Sequence, residues 1–198
     1  MKTTLLQIVQ SILSDMDSED VNSISDTVEA QQIASVVEDT YFNIIAAREI
    51  PEHSRLLSLV ALGDSAKPTH FKYPTDTKKI TRLEYNVGTV AEKQFKELKF
   101  VDPLVFLDRM SEEDTLVETF EGSVDIYVAN DRDPSYYTSF DDEYVIVDAY
   151  DAAEESSLQA SKTRAWGSVY PSFSQTDAFE PDLDNTLMPL LLAEAKST

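Results

Sequence analysis

Apolar and polar positions along the chain follow two periods, and the change between them falls near Pro51. Leu5, Ile8, Val9, Ile12, Leu13 and Met16 recur at the three-and-four spacing of one helical face. Thr4, followed three residues later by Gln7, supplies a capping box at the start of that helix. An acidic connection, DMDSEDVNSISD, separates it from a second stripe of Ile33, Val36, Val37, Thr40, Tyr41, Ile44 and Ile45. This second helix is expected to begin near Asp26, with Glu29 completing its cap, and to stop before Pro51. A short loop between two amphipathic helices predicts an antiparallel helical pair over residues 1–50.

After Pro51 the period shortens to two. Residues 56–62, 69–73, 80–87, 95–100, 117–120, 124–129 and part of 158–170 read as strands separated by Gly, Pro, Asp and Asn turns. Asp102 and Pro103 open a short helix through Met110, with Asp102 as cap. A helical start over 152–159 is also compatible with the pattern. The chain is expected to pack around residues 134–151, PSYYTSFDDEYVIVDAYD, which predict a hairpin with strands 136–140 and 144–149. Residues 173–184 form a polar and aromatic arm, and 187–195 form a last helix with Pro189 in its first turn.

The pattern therefore predicts an α+β fold: a helical bundle, made of the N-terminal pair and the C-terminal helix, carrying a β-rich insertion. Its parts are 1–50, 51–170 with the short helix at 102–110, and 171–198, together one structural domain. The helical stripes read as core or subunit interface.

Charge narrows the chemistry. With 198 residues, 37 acids and 16 bases, the net charge is −21, which repels nucleic acid and favours solubility. The lysines cluster at Lys67, Lys72, Lys78, Lys79, Lys93, Lys96 and Lys99, a basic patch suited to an acidic partner. There is no cysteine, which excludes disulfides, thiol catalysis and thiolate metal sites. His53 and His70 are the only histidines, and 4 scattered glycines leave no room for a phosphate loop. No GxSxG elbow supports a nucleophile. Asp15, Asp17, Glu19 and Asp20 lack the glycine and terminal glutamate of a calcium loop. Asp141, Asp142 and Glu143 sit on one turn and point in different directions, so a metal-dependent hydrolase finds little support. Neither a catalytic residue nor a cofactor is expected. No apolar run approaches the roughly 20 residues of a membrane helix, and the N-terminus fits an amphipathic helix better than a signal peptide.

Four stretches carry a resemblance. LLQIVQSILSDMDSEDVNSISDTVEAQQIASVVEDTYFNIIA, DPSYYTSFDDEYVIVDAYD, LQASKTRAWGSVYPSF and FEPDLDNTLMPLLLAEAKS, in that order, resemble the tail tubular protein A family. These are head-to-tail adaptors, or connectors, of short-tailed bacteriophages, and the resemblance runs from about residue 4 to 197. It implies a virion structural protein, made in the bacterial host cytoplasm, that forms a homo-oligomeric ring of about a dozen copies. Its partners would be the portal protein and the tail nozzle protein, with DNA passing through the lumen without specific binding. Members of the family continue with more helix past the segment matching residues 194–197. For such a role the candidate interface residues are Leu187, Leu190 and Leu191 on the C-terminal helix, and Tyr136, Tyr137 and Phe140 on the hairpin. Intrachain core packing is the competing reading for all six. The alternative function is an acidic inhibitor that mimics DNA, which requires acids spaced like phosphates on one exposed face.

Overall fold

In the structure, a computed structural model, residues 3–89, 91–111, 115–120, 124–141, 143–153, 159 and 162–197 are described. The readings at 112–114, at 121–123, at Asp142 and over most of 152–159 fall outside them. The chain divides into two compact units, one from residues 1–54 and 168–198, the other from 55–167.

The first unit is helical. Helix α1 (Leu5–Asp15) starts where the sequence indicates, because both arms of the Thr4–Gln7 capping box form. Helix α2 (Val28–Ala47) starts later than expected: its cap is Thr27, whose hydroxyl accepts from the Ala30 N–H at 3.1 Å. Asp26 instead accepts from the backbone N–H groups of Asn22 and Ser23, both at 2.8 Å, and so closes the turn ahead of the helix. After the last strand the chain returns through the 173–184 arm into helix α4 (Met188–Ser197). Leu5, Ile8, Ile12, Val37, Tyr41, Ile44, Leu183 and Leu191 belong to one buried cluster shared by the helices and the arm. Two contacts pin the arm: Asp177 accepts from the Ile24 N–H at 2.8 Å, and the Leu5 N–H donates to Phe179 O at 2.7 Å. His53, in a short 3-10 turn (Pro51–His53), donates from Nε2 to Asp182 O at 2.6 Å.

The second unit carries the sheet. Its strands are β1 (Ser54–Leu57), β2 (Val60–Ala61), β3 (His70–Lys72), β4 (Thr77–Asn86), β5 (Phe95–Phe100), β6 (Thr115–Phe120), β7 (Val124–Ala129), β8 (Tyr136–Thr138), β9 (Tyr144–Val147) and β10 (Thr163–Val169). Eight of them form one mixed sheet in the order β1-β10-β4-β5-β8-β9-β3-β2, while β6 and β7 pair as a separate hairpin. Helix α3 (Pro103–Met110), capped by Asp102, places Phe106 and Met110 on Ile126, Val128 and Ile146.

This corrects the expected architecture. The protein is α+β, but a large mixed sheet with four α-helices among the described residues dominates it, not a helical bundle with a β-rich insertion. The reason is long-range pairing. Strands read locally as short and separate hydrogen-bond into one sheet: β3 pairs with β9, and β5 runs parallel to β8. The hairpin at residues 134–151 shows the same effect. Tyr137 faces Val147 and Thr138 faces Ile146 in the antiparallel register that its turn implies. The Asp141 carboxylate accepts from the N–H groups of Glu143 at 2.9 Å and Tyr144 at 3.0 Å. Yet Val145, Ile146 and Val147 are all buried, so β9 is covered on both faces rather than half-exposed.

Candidate functional site

Within the sheet unit, the strand register opens a cleft. Strands β4 and β5 pair from Asn86↔Phe95 to Leu83↔Leu98. Continuing that register sets the end of β5, Phe100, opposite Thr81, so residues 77–80 of β4 run past it. On the other side of β5, Phe100 pairs with Tyr137 of β8. A cleft of about 800 Å³ lies beside Phe100, lined by residues of β3, β4 and β8 and by Asp141 and Glu143.

Its lining mixes charge with aromatic surface. Lys72, Lys78 and Lys79, the aromatic residues Phe100 and Tyr137, and the acids Asp141 and Glu143 are among the residues that line it. The two rings meet edge to face, 5.5 Å apart at 67°. Lys72 Nζ lies 3.2 Å from a Glu143 carboxylate oxygen, an exposed pair worth at most about 1 kcal/mol. Burial, followed by the neighbouring Tyr73 and Glu97, pushes the Tyr137 phenol above its ordinary value, so it stays a neutral donor. The Thr77 hydroxyl oxygen is buried and has no hydrogen-bond partner among the described residues.

The fold thus sorts the lysine cluster. It gathers Lys72, Lys78 and Lys79 into the cleft, while Lys96 donates to Ser135 Oγ at 2.9 Å and lies outside the lining. Of the hairpin residues, Tyr137 lies on the cleft, Tyr136 is half-buried beneath the Arg109 guanidinium at 4.5 Å, and Phe140 packs on Phe106 at 6.1 Å. On α4, Leu191 is fully buried, and Leu187 and Leu190 are partly buried against the helical core. All three leucines touch their own chain's core, with Leu187 and Leu190 keeping part of their surface in solvent.

The exposed apolar surface lies elsewhere. On α3, Leu104 is 73 % exposed, and Val105 and Leu107 are exposed beside it. A signal for this stood in the sequence. Leu104, Val105, Phe106 and Leu107 are consecutive, and one helical face cannot bury four consecutive side chains.

A buried polar set also escaped the sequence. Thr69, His70 and Glu118 are at most 1 % exposed, with His70 Nδ1 2.8 Å from Glu118 Oε2 and the Thr69 hydroxyl 2.8 Å from both carboxyl oxygens. The Thr69 hydroxyl donates to the carboxyl group and lies 3.5 Å from His70 Nδ1, which itself faces Glu118 at the shorter distance of 2.8 Å, so the carboxyl group is the centre on which both neighbours converge. Among the described residues no cluster of three acids or histidines is placed to hold a metal ion, and no helix is long and apolar enough to cross a membrane. Compared with known protein families and with curated proteins, the chain matches no family model and no curated sequence.

Proposed function

We propose that this chain is a virion structural protein, a head-to-tail adaptor whose copies form a ring between portal and tail nozzle. The observation that carries the reading is the α3 face, where Leu104, Val105 and Leu107 stand in solvent on a subunit of net charge −21. Contiguous exposed apolar side chains mark association surfaces, and a second copy is the occupant that a ring requires. Support also comes from the resemblance of the N-terminal helices, the 134–151 hairpin and the C-terminal arm to tail tubular protein A. The acidic balance suits a conduit that DNA slides through, since fixed cations would retain phosphates. In this role the protein acts through surfaces, with no catalysis, at the head-to-tail junction of the particle.

Negative-stain imaging and light scattering of the purified chain, alone and with a portal ring, test the proposal. A ring of about twelve copies is expected, alone or seated on the portal. Leu104→Asp with Leu107→Asp should abolish the ring and leave the melting temperature unchanged. A chain that stays monomeric and never binds the portal overturns the reading.

A further inference from the structure

A single apolar face makes pairs, not rings. A patch that meets its own copy closes at a dimer, whereas a ring needs two different patches that fit each other. The α3 face supplies one, and a second stands on the outer face of the sheet. Strand β10 alternates, with Thr163, Ala165 and Gly167 buried and Arg164 and Trp166 exposed between them. Trp166 is the only tryptophan of the chain, and it is 46 % exposed. With Leu56 of β1, 67 % exposed, it lines a recess of about 210 Å³.

Charge at this recess is balanced. Arg82 Nη2 lies 3.0 Å from Glu84 Oε1 and 3.2 Å from Glu97 Oε2. Arg164 Nε donates to Glu84 Oε2 at 2.6 Å, and its guanidinium stacks on the Phe95 ring at 4.0 Å. Two guanidinium groups thus face two carboxylates on a chain whose net charge is −21. Copies so acidic repel one another, and they approach with least opposition where carboxylates are already neutralised. A nucleic acid or a basic protein finds no excess charge here to hold it. Size points the same way. Cavities of about 150 Å³ accept a benzene-sized group, so this recess accepts a leucine side chain, and Leu104 stands out from α3 in solvent. The two patches are separate: α3 packs on β7 and β9, and β9 lies four strands from β10, roughly 20 Å along the sheet.

We propose that the recess at Trp166 and Leu56 is the second half of the contact between copies, receiving Leu104 and Leu107 from α3 of the next copy. The contact is head to tail, so each copy uses both faces and the array propagates until its rotation closes it. This inference rests on the ring reading and adds to it the surface that α3 meets.

The test uses the full-length chain in two variants, Leu56→Glu plus Trp166→Glu for the recess and Leu104→Asp plus Leu107→Asp for α3. Each is checked for an unchanged circular dichroism melt, and Leu56→Glu alone replaces the recess variant if its melt falls. Sedimentation velocity should show each variant by itself as a monomer. An equimolar mixture should give a one-to-one dimer that grows no further, because one intact recess meets one intact α3 face. Trp166 provides a readout that needs no change at the recess. Its emission should move to shorter wavelength as the wild-type chain assembles, and stay fixed over the same concentrations in the α3 variant. A recess variant that assembles as the wild type does overturns this inference and leaves the ring reading standing. A mixture that stays monomeric overturns it, as does wild-type assembly with unmoved Trp166 emission. A wild-type chain that remains monomeric and never binds the portal overturns both.

Discussion

His70 and Glu118 meet in the interior of the sheet unit, with Nδ1 2.8 Å from Oε2 and both side chains at most 1 % exposed. The contact joins β3, in the large sheet, to β6, in the separate hairpin. Thr69 completes it by hydrogen-bonding the same carboxyl group. Removing one member of such a pair leaves buried polar atoms without their partner, which costs far more than the pair contributes net. Glu118→Ala should lose about 3–5 kcal/mol, read as a shift of the urea midpoint. Adding His70→Ala should cost less than the sum of the two single changes, with a coupling on the order of 1–3 kcal/mol. Additive losses would show that the two side chains do not interact.

Close approach of β10 to β4 makes a second position sensitive. A Cβ on Gly167 would stand 2.4 Å from Lys79 O and 3.2 Å from the Ile80 Cα, both backbone atoms. Backbone yields only by moving the strand, so Gly167→Ala should destabilise by about 1–3 kcal/mol and lower the melting temperature. Gly63, whose added Cβ would meet nothing within 4 Å, is the control for crowding. Its φ of +72° confines any loss in Gly63→Ala to backbone strain of about 1–2 kcal/mol.

Asp148 holds the start of β8. Its carboxylate accepts from the Ser135 and Tyr136 N–H groups, both at 2.8 Å, while the side chain is 1 % exposed. Hydrogen bonds to a charged acceptor contribute about 1.5–3 kcal/mol. Asp148→Ala should therefore cost at least about 2 kcal/mol, and Asp148→Asn, which keeps a neutral acceptor, clearly less. Chemical denaturation of the three proteins distinguishes these cases.

Alkaline pH should act on the helical unit through Tyr41. Burial raises its phenol from 10.0 to about 12, the backbone hydrogen bond with Asp182 opposes the rise, and the Asp182 charge adds to it. The fold therefore favours the neutral phenol. That stability is fully present below pH 10 and is lost as pH climbs from 10 towards about 12. The loss should total about 2–3 kcal/mol, followed by denaturation at fixed pH steps. Tyr41→Phe keeps the ring between Phe42 and Phe173, whose centroids lie 5.5 and 5.3 Å away, and should flatten this part of the pH profile.

Local chemistry decided what was readable in advance. The Thr4–Gln7 box, the Asp102–Pro103 helix start and the Asp141 turn depend on residues three or fewer apart, and each forms as its spacing implies. Hydrophobic periodicity marked the faces of α1 and α2 for the same reason. The lysines at 72, 78 and 79 were visible as a cluster, but their convergence on one cleft was not. That required β5 to stop at Phe100 and β8 to pair beside it, a relation between distant segments. At α4, Leu191 is buried and Leu187 and Leu190 are partly buried against the cluster that the arm and α4 share with α1 and α2, a packing that the stripe alone does not specify.

By itself, then, the sequence determined where α1 and α3 begin, which helical faces are apolar, and that the chain is acidic and free of thiols. Tertiary structure alone decided that the strands join into a dominant sheet, that Glu118 reaches His70, and that residues 77–80 run past the end of β5. Side-chain periodicity and capping act within a few residues. Strand order, register and the pairing of buried polar groups are settled only when segments far apart in the chain compete for the same neighbours.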